Sequence, residues 1–247
     1  MKRQALIISN PGEIGEENYC NGVNQDVSNY ESFLLSPIGG AWHNTEIRKL
    51  FRPSVLQVRQ VLKQLSGIDY SLIIFTGHGS ALTPYSTILE LRRKEELDSR
   101  ELRNATKKQT IILDCCREPS DISIFFEKGI EKRAKAIAIH PDRCRYYYDS
   151  QIEGCGNEVV VMYACSFGQK AYDNSAQGGI YSSYLIAGAR WWSDGVEIGM
   201  NRSYSILSVV DAHEEADIST FKHTGYKQKP VIEKPRSGPY FPFCVVA

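Results

Sequence analysis

The chain reads SLIIFTGHG at residues 71–79 and TIILDCCR at residues 110–117, and these two stretches decide the fold. Each begins with an apolar run and ends in polar, chemically reactive residues. Apolar runs of about four to eight residues that end in turn residues are typical of buried strands. The two stretches therefore predict core strands that deliver His78 and the pair Cys115 and Cys116 at their carboxyl ends.

Four more apolar runs accompany these two, and segments with helical spacing lie between them. The predicted strands cover residues 5–9, 71–76, 110–114, 134–139, 159–164 and 241–246. The predicted helices cover residues 25–35, 54–65, 99–105, 181–192 and 204–214. Alternating strands and helices favour a mostly parallel sheet between helix layers. We therefore predict an α/β three-layer sandwich, a single domain over residues 1–247 with about six strands and helices on both faces.

The composition excludes several functional classes. Of 247 residues, 42% are apolar and 23% charged, which is ordinary for a globular protein. With 29 basic and 29 acidic residues, we expect neither nucleic acid nor an anionic membrane as a partner. No apolar run approaches the roughly 20 residues of a membrane helix, and the N-terminus lacks a signal-peptide pattern. Seven irregularly spaced cysteines then predict reduced thiols and a cytoplasmic location.

The histidine and the cysteines follow strands that share one edge in a parallel sheet, where such folds bind their ligands. An imidazole beside a thiol can take its proton and later protonate a leaving amine. We therefore predict His78 and Cys116 as a catalytic pair, with the backbone N–H groups of Gly79 and Cys116 as oxyanion donors. The alternative is a structural histidine near buried cysteines.

The alternation of side chains along a strand distinguishes the two cysteines. Asp114 and Cys116 lie two residues apart and should share one face of the strand, whereas Cys115 points to the other. Free cysteine is among the most buried residue types. We expect Cys115 to be a small core residue and Cys116 to be the nucleophile.

These motifs resemble those of the caspase-like cysteine peptidases, particularly the metacaspases and their bacterial relatives. TGHG at residues 76–79 is similar to the family's Ser-Gly-His-Gly segment, and DCC at residues 114–116 is similar to its Asp-x-Cys. Weaker similarity covers residues 22–26, 165–173 and the C-terminal region from Pro230. The resemblance implies a caspase–haemoglobinase fold.

The resemblance also implies two parts joined by a connecting segment. The large-subunit-like part is about residues 1–141, the connecting loop about 142–157, and the small-subunit-like part about 158–247. The polar and aromatic stretch at 142–149 is predicted as an exposed loop. Arg143 and Arg145 are candidate self-cleavage sites in it, with an uncut surface loop as the alternative.

Metacaspases have an acidic pocket for the residue before the scissile bond, and Asp114 and Asp26 match its positions. Carboxylates in such a pocket pair with guanidinium or ammonium groups, so the resemblance implies cleavage after Arg or Lys. Asp26 could instead be an acidic residue at a helix N-terminus. Further candidate substrate-binding residues are Thr76, Ser166 and Asp173.

The sequence departs from the family at three points. Arg117 and Glu118 replace the family's residues after the nucleophile, Val23 replaces a cysteine, and the spacing from His78 to Cys116 is only 38 residues. These departures leave the catalytic pair intact. They put the subfamily and the loop-based regulation in doubt.

We predict no cofactor and no metal, since no ligand spacing typical of zinc or of a calcium loop is present. Calcium dependence stays open. The expected partners are a protein substrate and an activating partner or ligand, and the expected assembly is a monomer or a homodimer through the C-terminal edge strand.

The predicted function is that of a cysteine endopeptidase that activates an effector in regulated cell death or antiphage defence. One alternative is a catalytically silent homologue that serves as an interaction module. Another is a related peptidase of the same clan, such as a separase-like enzyme, with non-basic specificity.

Overall fold

The computed structural model describes residues 1–118, 124–125, 140–198 and 203–247. Its strands, in chain order, are β1 Arg3–Asn10, β2 Ile47–Phe51, β3 Tyr70–Gly77, β4 Gly79–Thr83, β5 Ser86–Arg92, β6 Glu95–Asp98, β7 Lys108–Asp114, β8 Ile124–Phe125, β9 Val159–Tyr163, β10 Tyr172–Asn174, β11 Gly178–Gly179, β12 Ser205–Ser208, β13 Val231–Glu233 and β14 Pro242–Val246. Its helices are α1 Asn21–Leu35, α2 Val55–Gln64, α3 Pro141–Gly154, α4 Ile180–Gly195 and α5 Val209–His223. None of these helices has the length and apolar character that a membrane span needs.

Six strands form the central sheet in the order β13-β9-β7-β3-β1-β2. Every neighbouring pair is parallel except β13 with β9, so the predicted mostly parallel sheet of six strands is confirmed. Its two edges, β2 and β13, were not predicted. The β2 segment contains Arg48 and Lys49, both exposed, which is a composition that a half-covered edge strand tolerates.

Side chains of the sheet alternate between two cores, as the period of a strand requires. In β1, Ala5 and Ile7 pack on one side with residues of α1, α3, α4 and α5, while Leu6 and Ile8 pack on the other side with residues of α2 and β5. Both faces are therefore covered, and the predicted three-layer α/β sandwich is confirmed.

The structure confirms neither of the two remaining predicted strands as part of this sheet. Residues 134–139 lie outside the described residues. The C-terminal strand β14 pairs with β12 in a separate two-stranded sheet, and the N–H of Val245 donates to the carbonyl of Ile38 at 2.8 Å. All five residues of β14 are buried. The C-terminal strand is therefore not an open edge of the central sheet, which was the expected route to a homodimer.

The predicted and observed helix boundaries differ most where a strand was not predicted. The predicted helix 204–214 is β12 followed by α5, and the Ser208 side chain accepts from the N–H of Asp211 as the cap between them. Residues 99–102 form one 3₁₀ turn. The α2 prediction holds, because Ser54 and Gln57 form a capping box at its start.

The predicted exposed loop over residues 142–149 is wrong, because these residues lie in α3, Pro141–Gly154. Its buried residues, Cys144, Tyr148 and Ile152, recur every fourth position and face one core, a pattern that the polar neighbours obscured. The Arg145 side chain donates to the Ala41 carbonyl at 2.9 Å and also pairs with a carboxylate.

We expect α3 to survive in the active protein without cleavage after Arg143 or Arg145. A peptidase binds its substrate as an extended strand, and both arginines lie in a packed helix with hydrogen bonds of their own. Intact-mass analysis after prolonged incubation of the purified protein checks this expectation. A fragment that ends at either arginine in wild type, and is lost in Cys116→Ala, would contradict it.

Candidate active site

The register between two central strands brings the site together. In the parallel pair β3 and β7, Thr76 lies opposite Asp114. His78 and Cys116 each follow two residues later, so both emerge at the same edge of the sheet. A cleft at this edge is lined by both of them.

The histidine is held against a turn that follows β1. Gly77 before it has φ +147°, and a Cβ there would lie 2.3 Å from the Asn10 carbonyl oxygen, so only glycine fits. His78 is buried, and its Nε2 lies 3.3 Å from the carbonyl oxygen of Pro11. A carbonyl can only accept, so this contact requires the proton on Nε2. The lone pair of the neutral ring then resides on Nδ1, which makes Nδ1 the candidate base.

Cys116 differs from the other cysteines in its exposure. It is half-buried, whereas the other six are buried. Its Sγ lies 3.6 Å from the carbonyl oxygen of Ala171. Cys115 faces the core that contains α2 and β5, in agreement with the predicted alternation. Both cysteines line the cleft, and Cys116 is the more exposed of the two.

Arg117 determines the path of the chain after the nucleophile. Its guanidinium is buried, donates to the Pro84 carbonyl at 2.7 Å and lies 4.2 Å from the centre of the Tyr163 ring. Its backbone N–H donates to the Gln169 carbonyl at 2.9 Å. Contacts with the β4–β5 turn and with residues after β9 therefore hold the segment that carries Cys116.

Two carboxylates of the same cleft lie almost fully buried beside His78 and Cys116. Asp26 is 1% exposed, and it accepts from the Thr76 hydroxyl at 2.6 Å and from the Gly179 N–H at 2.9 Å. Asp114 is 5% exposed, and it accepts from the Ser182 hydroxyl at 2.5 Å and from its N–H at 3.1 Å. Asp26 is the sixth residue of α1, so the helix N-terminal alternative for it is wrong.

Asp173 is the third carboxylate of the cleft. It is half-buried on β10, and its Oδ2 accepts from the N–H of Gly22 at 3.1 Å. A Cβ on Gly22 would lie 1.8 Å from Asp173 Oδ1, so the close approach requires glycine. This contact joins the start of α1 to β10.

The three carboxylates are poorly compensated. Burial raises the pKa of Asp114 to about 6, and burial followed by the charge of Asp114 raises the pKa of Asp26. Burial also raises the pKa of Asp173. Among the lining residues that the structure describes, only His78 can carry a positive charge. The cleft therefore disfavours ionisation of its carboxyl groups, and a cationic group bound there would favour it.

A pair of adjacent glycines gives two of these carboxylates their space. A Cβ on Gly178 would lie 2.1 Å from Asp26 Oδ1, and a Cβ on Gly179 would lie 2.4 Å from Asp114 Oδ2. Sequence reasoning missed both. In the sequence they are visible only as a Gly-Gly pair directly before a helix. Such pairs are common, so this one indicates a pocket only when the neighbouring carboxylates are known.

The cleft collects most of the predicted site residues. Those that line it are Asp26, Thr76, His78, Asp114, Cys116 and Asp173. Ser166 does not line it, and its hydroxyl donates to the Lys229 carbonyl at 2.8 Å. Gly79 begins β4 beside the Cys115 side chain, and the oxyanion role of its N–H stays a prediction. The described residues contain no cluster suited to a metal ion.

We expect Asp114→Asn to stabilise the fold at pH 8. Asp114 has a folded pKa of about 6, above its ordinary 3.8, so its favourable contribution is complete below about pH 4 and is lost as the pH rises through 6. Asparagine keeps an oxygen for the Ser182 donors. We expect a gain on the order of 1–3 kcal/mol in the free energy of unfolding at pH 8 that disappears near pH 4. Urea titrations at both pH values measure it.

Asp142→Asn on the exposed side of α3 is the control, and it should change stability by less than about 0.5 kcal/mol. A lower stability of Asp114→Asn at pH 8 would show that the carboxylate is a net stabilising group.

Comparison with known proteins agrees with this arrangement. The model of the caspase domain family matches residues 2–240. The crystal structure of caspase-1 from Spodoptera frugiperda superposes with a TM-score of 0.58 at 11% sequence identity, over 94% of this chain and 86% of that one. At this identity the superposition shows a shared fold. No curated protein sequence matches. The chain belongs to the caspase domain family of cysteine peptidases.

Proposed function

We propose that this chain is a cysteine endopeptidase that uses His78 and Cys116 to cleave protein substrates after Arg or Lys. The observation that carries the proposal is the cluster of three carboxylates in the cleft that holds both catalytic candidates. Each part has a role in peptide hydrolysis: a thiol, a base with an assigned tautomer, and a charged pocket for a substrate side chain.

The charge of the cleft supports the choice of substrate. Burial and the nearby carboxylates disfavour the ionised forms of Asp26 and Asp114. A guanidinium or ammonium group of the substrate would pair with these ionised forms and stabilise them. An aspartate side chain before the scissile bond would meet like charge instead. Ionisation of Asp114 through about pH 6 should therefore strengthen the binding of basic peptides as the pH rises.

The chemistry follows from the tautomer of His78. Nδ1 takes the proton of the Cys116 thiol, and the thiolate attacks the scissile carbonyl carbon. His78 returns the proton to the leaving amine as the C–N bond breaks, which leaves a thioester on Cys116. Water then attacks the thioester while Nδ1 accepts its proton, and the thiol is regenerated. The N–H groups of Gly79 and Cys116 are the proposed oxyanion donors.

The size of the cleft supports regulation by opening. The cleft is small, with a volume of about 30 Å³. We propose that an activating partner or ligand acts by widening it. A role in regulated cell death or antiphage defence rests on the family resemblance alone.

Peptides with Arg, Lys, Asp or Leu before a fluorogenic leaving group test the proposal. We expect wild type to cleave the Arg and Lys peptides and Cys116→Ala to be inactive. Cys115→Ala is the matched control, because it removes the neighbouring thiol from the core, and it should keep kcat/KM within about threefold.

Other outcomes are equally informative. Preference for Asp or Leu would refute the role of the carboxylates. If only Cys115→Ala lost activity, the nucleophile would be Cys115 and not Cys116. If wild type cleaved none of the peptides, even with candidate partners present, the result would favour the catalytically silent alternative.

Gly179→Ala tests the pocket separately from the thiol. Gly179 has φ −56°, which alanine adopts freely, so the new methyl group acts only by crowding Asp114. We expect kcat/KM for Arg peptides to fall by at least tenfold, with retained alkylation of Cys116. Gly154→Ala, where a Cβ meets open space, is the control. Equal activity of the two variants would place the substrate side chain elsewhere.

A further inference from the structure

Asn10 is the last residue of β1 and is fully buried behind the catalytic histidine. It lies opposite Gly77 in the parallel register of β1 with β3, one residue before His78. Its side chain is neutral and unreactive, so any role in catalysis depends on its hydrogen bonds.

The carboxamide of Asn10 joins two segments that surround the imidazole. Its Oδ1 accepts from the N–H of Gly12 at 3.2 Å, and its Nδ2 donates to the Glu90 carbonyl at 2.8 Å. The N–H of Glu90 in turn donates to the His78 carbonyl at 3.1 Å. One side chain therefore connects the turn after β1 to β5, and β5 is bonded to the backbone of His78.

The turn that Asn10 holds is the one that touches the ring. Pro11 supplies the carbonyl that His78 Nε2 faces, and Gly12 follows with φ +93°. A Cβ on Gly12 would lie 3.0 Å from that same Nε2. The turn thus lies directly against the imidazole, and a small displacement would remove the acceptor of its N–H.

We propose that Asn10 is a positioning residue that holds the Pro11 carbonyl on His78 Nε2–H and so keeps Nδ1 free to take the Cys116 proton. The inference rests on the proposed function, since it concerns the same catalytic pair. Without the carboxamide, the turn loses its tie to β5. The ring then samples orientations and tautomers in which Nδ1 is not the base.

Asn10→Ala removes both hydrogen bonds, and Gln109→Ala is its matched control. Gln109 is also fully buried, and its carboxamide likewise donates to a carbonyl, that of Leu102, and accepts from a backbone N–H, that of Asn104. It lies at the start of β7, at the opposite edge of the sheet. Each variant loses one donated and one accepted hydrogen bond. The bonds lost in Asn10→Ala lie beside the imidazole, and those lost in Gln109→Ala lie far from it.

We expect Asn10→Ala to lower kcat for the Arg peptide by about 10- to 100-fold, with KM changed by less than about threefold. Gln109→Ala should keep kcat within about twofold once the folded fraction is measured by circular dichroism. A second readout needs no peptidase activity: the rate of iodoacetamide alkylation of Cys116 against pH, followed by peptide mass spectrometry. The midpoint of this profile should lie below about 8.5 in wild type and rise toward that ordinary thiol value in Asn10→Ala.

Asn10→Asp keeps the size of the side chain if the alanine variant fails to fold. Its carboxyl group accepts from Gly12 at any pH, but it donates to the Glu90 carbonyl only when protonated. We expect its kcat relative to wild type to fall as the pH rises from 6 to 8. A role in folding alone would leave this ratio independent of pH.

The outcomes separate the inference from the function on which it rests. An alkylation midpoint near 8.5 in wild type would refute the catalytic pair itself, and the positioning role with it. A lowered midpoint that Asn10→Ala shares with wild type, with kcat equal to that of Gln109→Ala, would overturn the role of Asn10 and leave the pair standing.

Discussion

The parallel register of β3 with β7 is the constraint on which the rest of the site depends. Because Thr76 lies opposite Asp114, a histidine and a cysteine that are 38 residues apart in the chain leave the sheet at one edge. The same register divides the apolar side chains between two cores, so a slip of one residue would move each side chain into the opposite core as well as separate the pair. Fold stability and the proposed chemistry thus favour the same alignment.

The carboxylates show the opposite relation between stability and function. Asp26 and Asp114 are buried close to each other and raise each other's cost of ionisation, although Thr76, Ser182 and backbone N–H groups satisfy part of their hydrogen bonding. Apolar residues in these positions would favour folding. A cationic ligand can stabilise carboxylates that the fold stabilises poorly by itself, and this is the physical basis of the proposal that basic residues are preferred.

Residues that carry no chemistry also hold the segments around the proposed catalytic pair. Arg117 ties the segment after Cys116 to the β4–β5 turn, and Asn10 ties the turn that faces His78 to β5. The β4–β5–β6 sheet, which no sequence pattern predicted, thereby contacts both halves of the pair. This sheet occupies the first part of the 38-residue connection between His78 and Cys116.

The sequence by itself determined the α/β class, four of the six central strands in part or whole, and the motifs that bring His78, Cys116, Asp26 and Asp114 to one cleft. These features are local: apolar runs of strand length, turn residues after them and motifs a few residues long. Only the tertiary structure decided that Asp173 reaches the N–H of Gly22, that Gly178 and Gly179 make room for the carboxylates, and that Asn10 supports the imidazole. These contacts join residues up to 151 positions apart, and packing rather than local propensity places them. Residues 142–154 illustrate the same limit. Their helix is stabilised by the buried side chains of Cys144, Tyr148 and Ile152. These side chains can pack only when the sheet has formed.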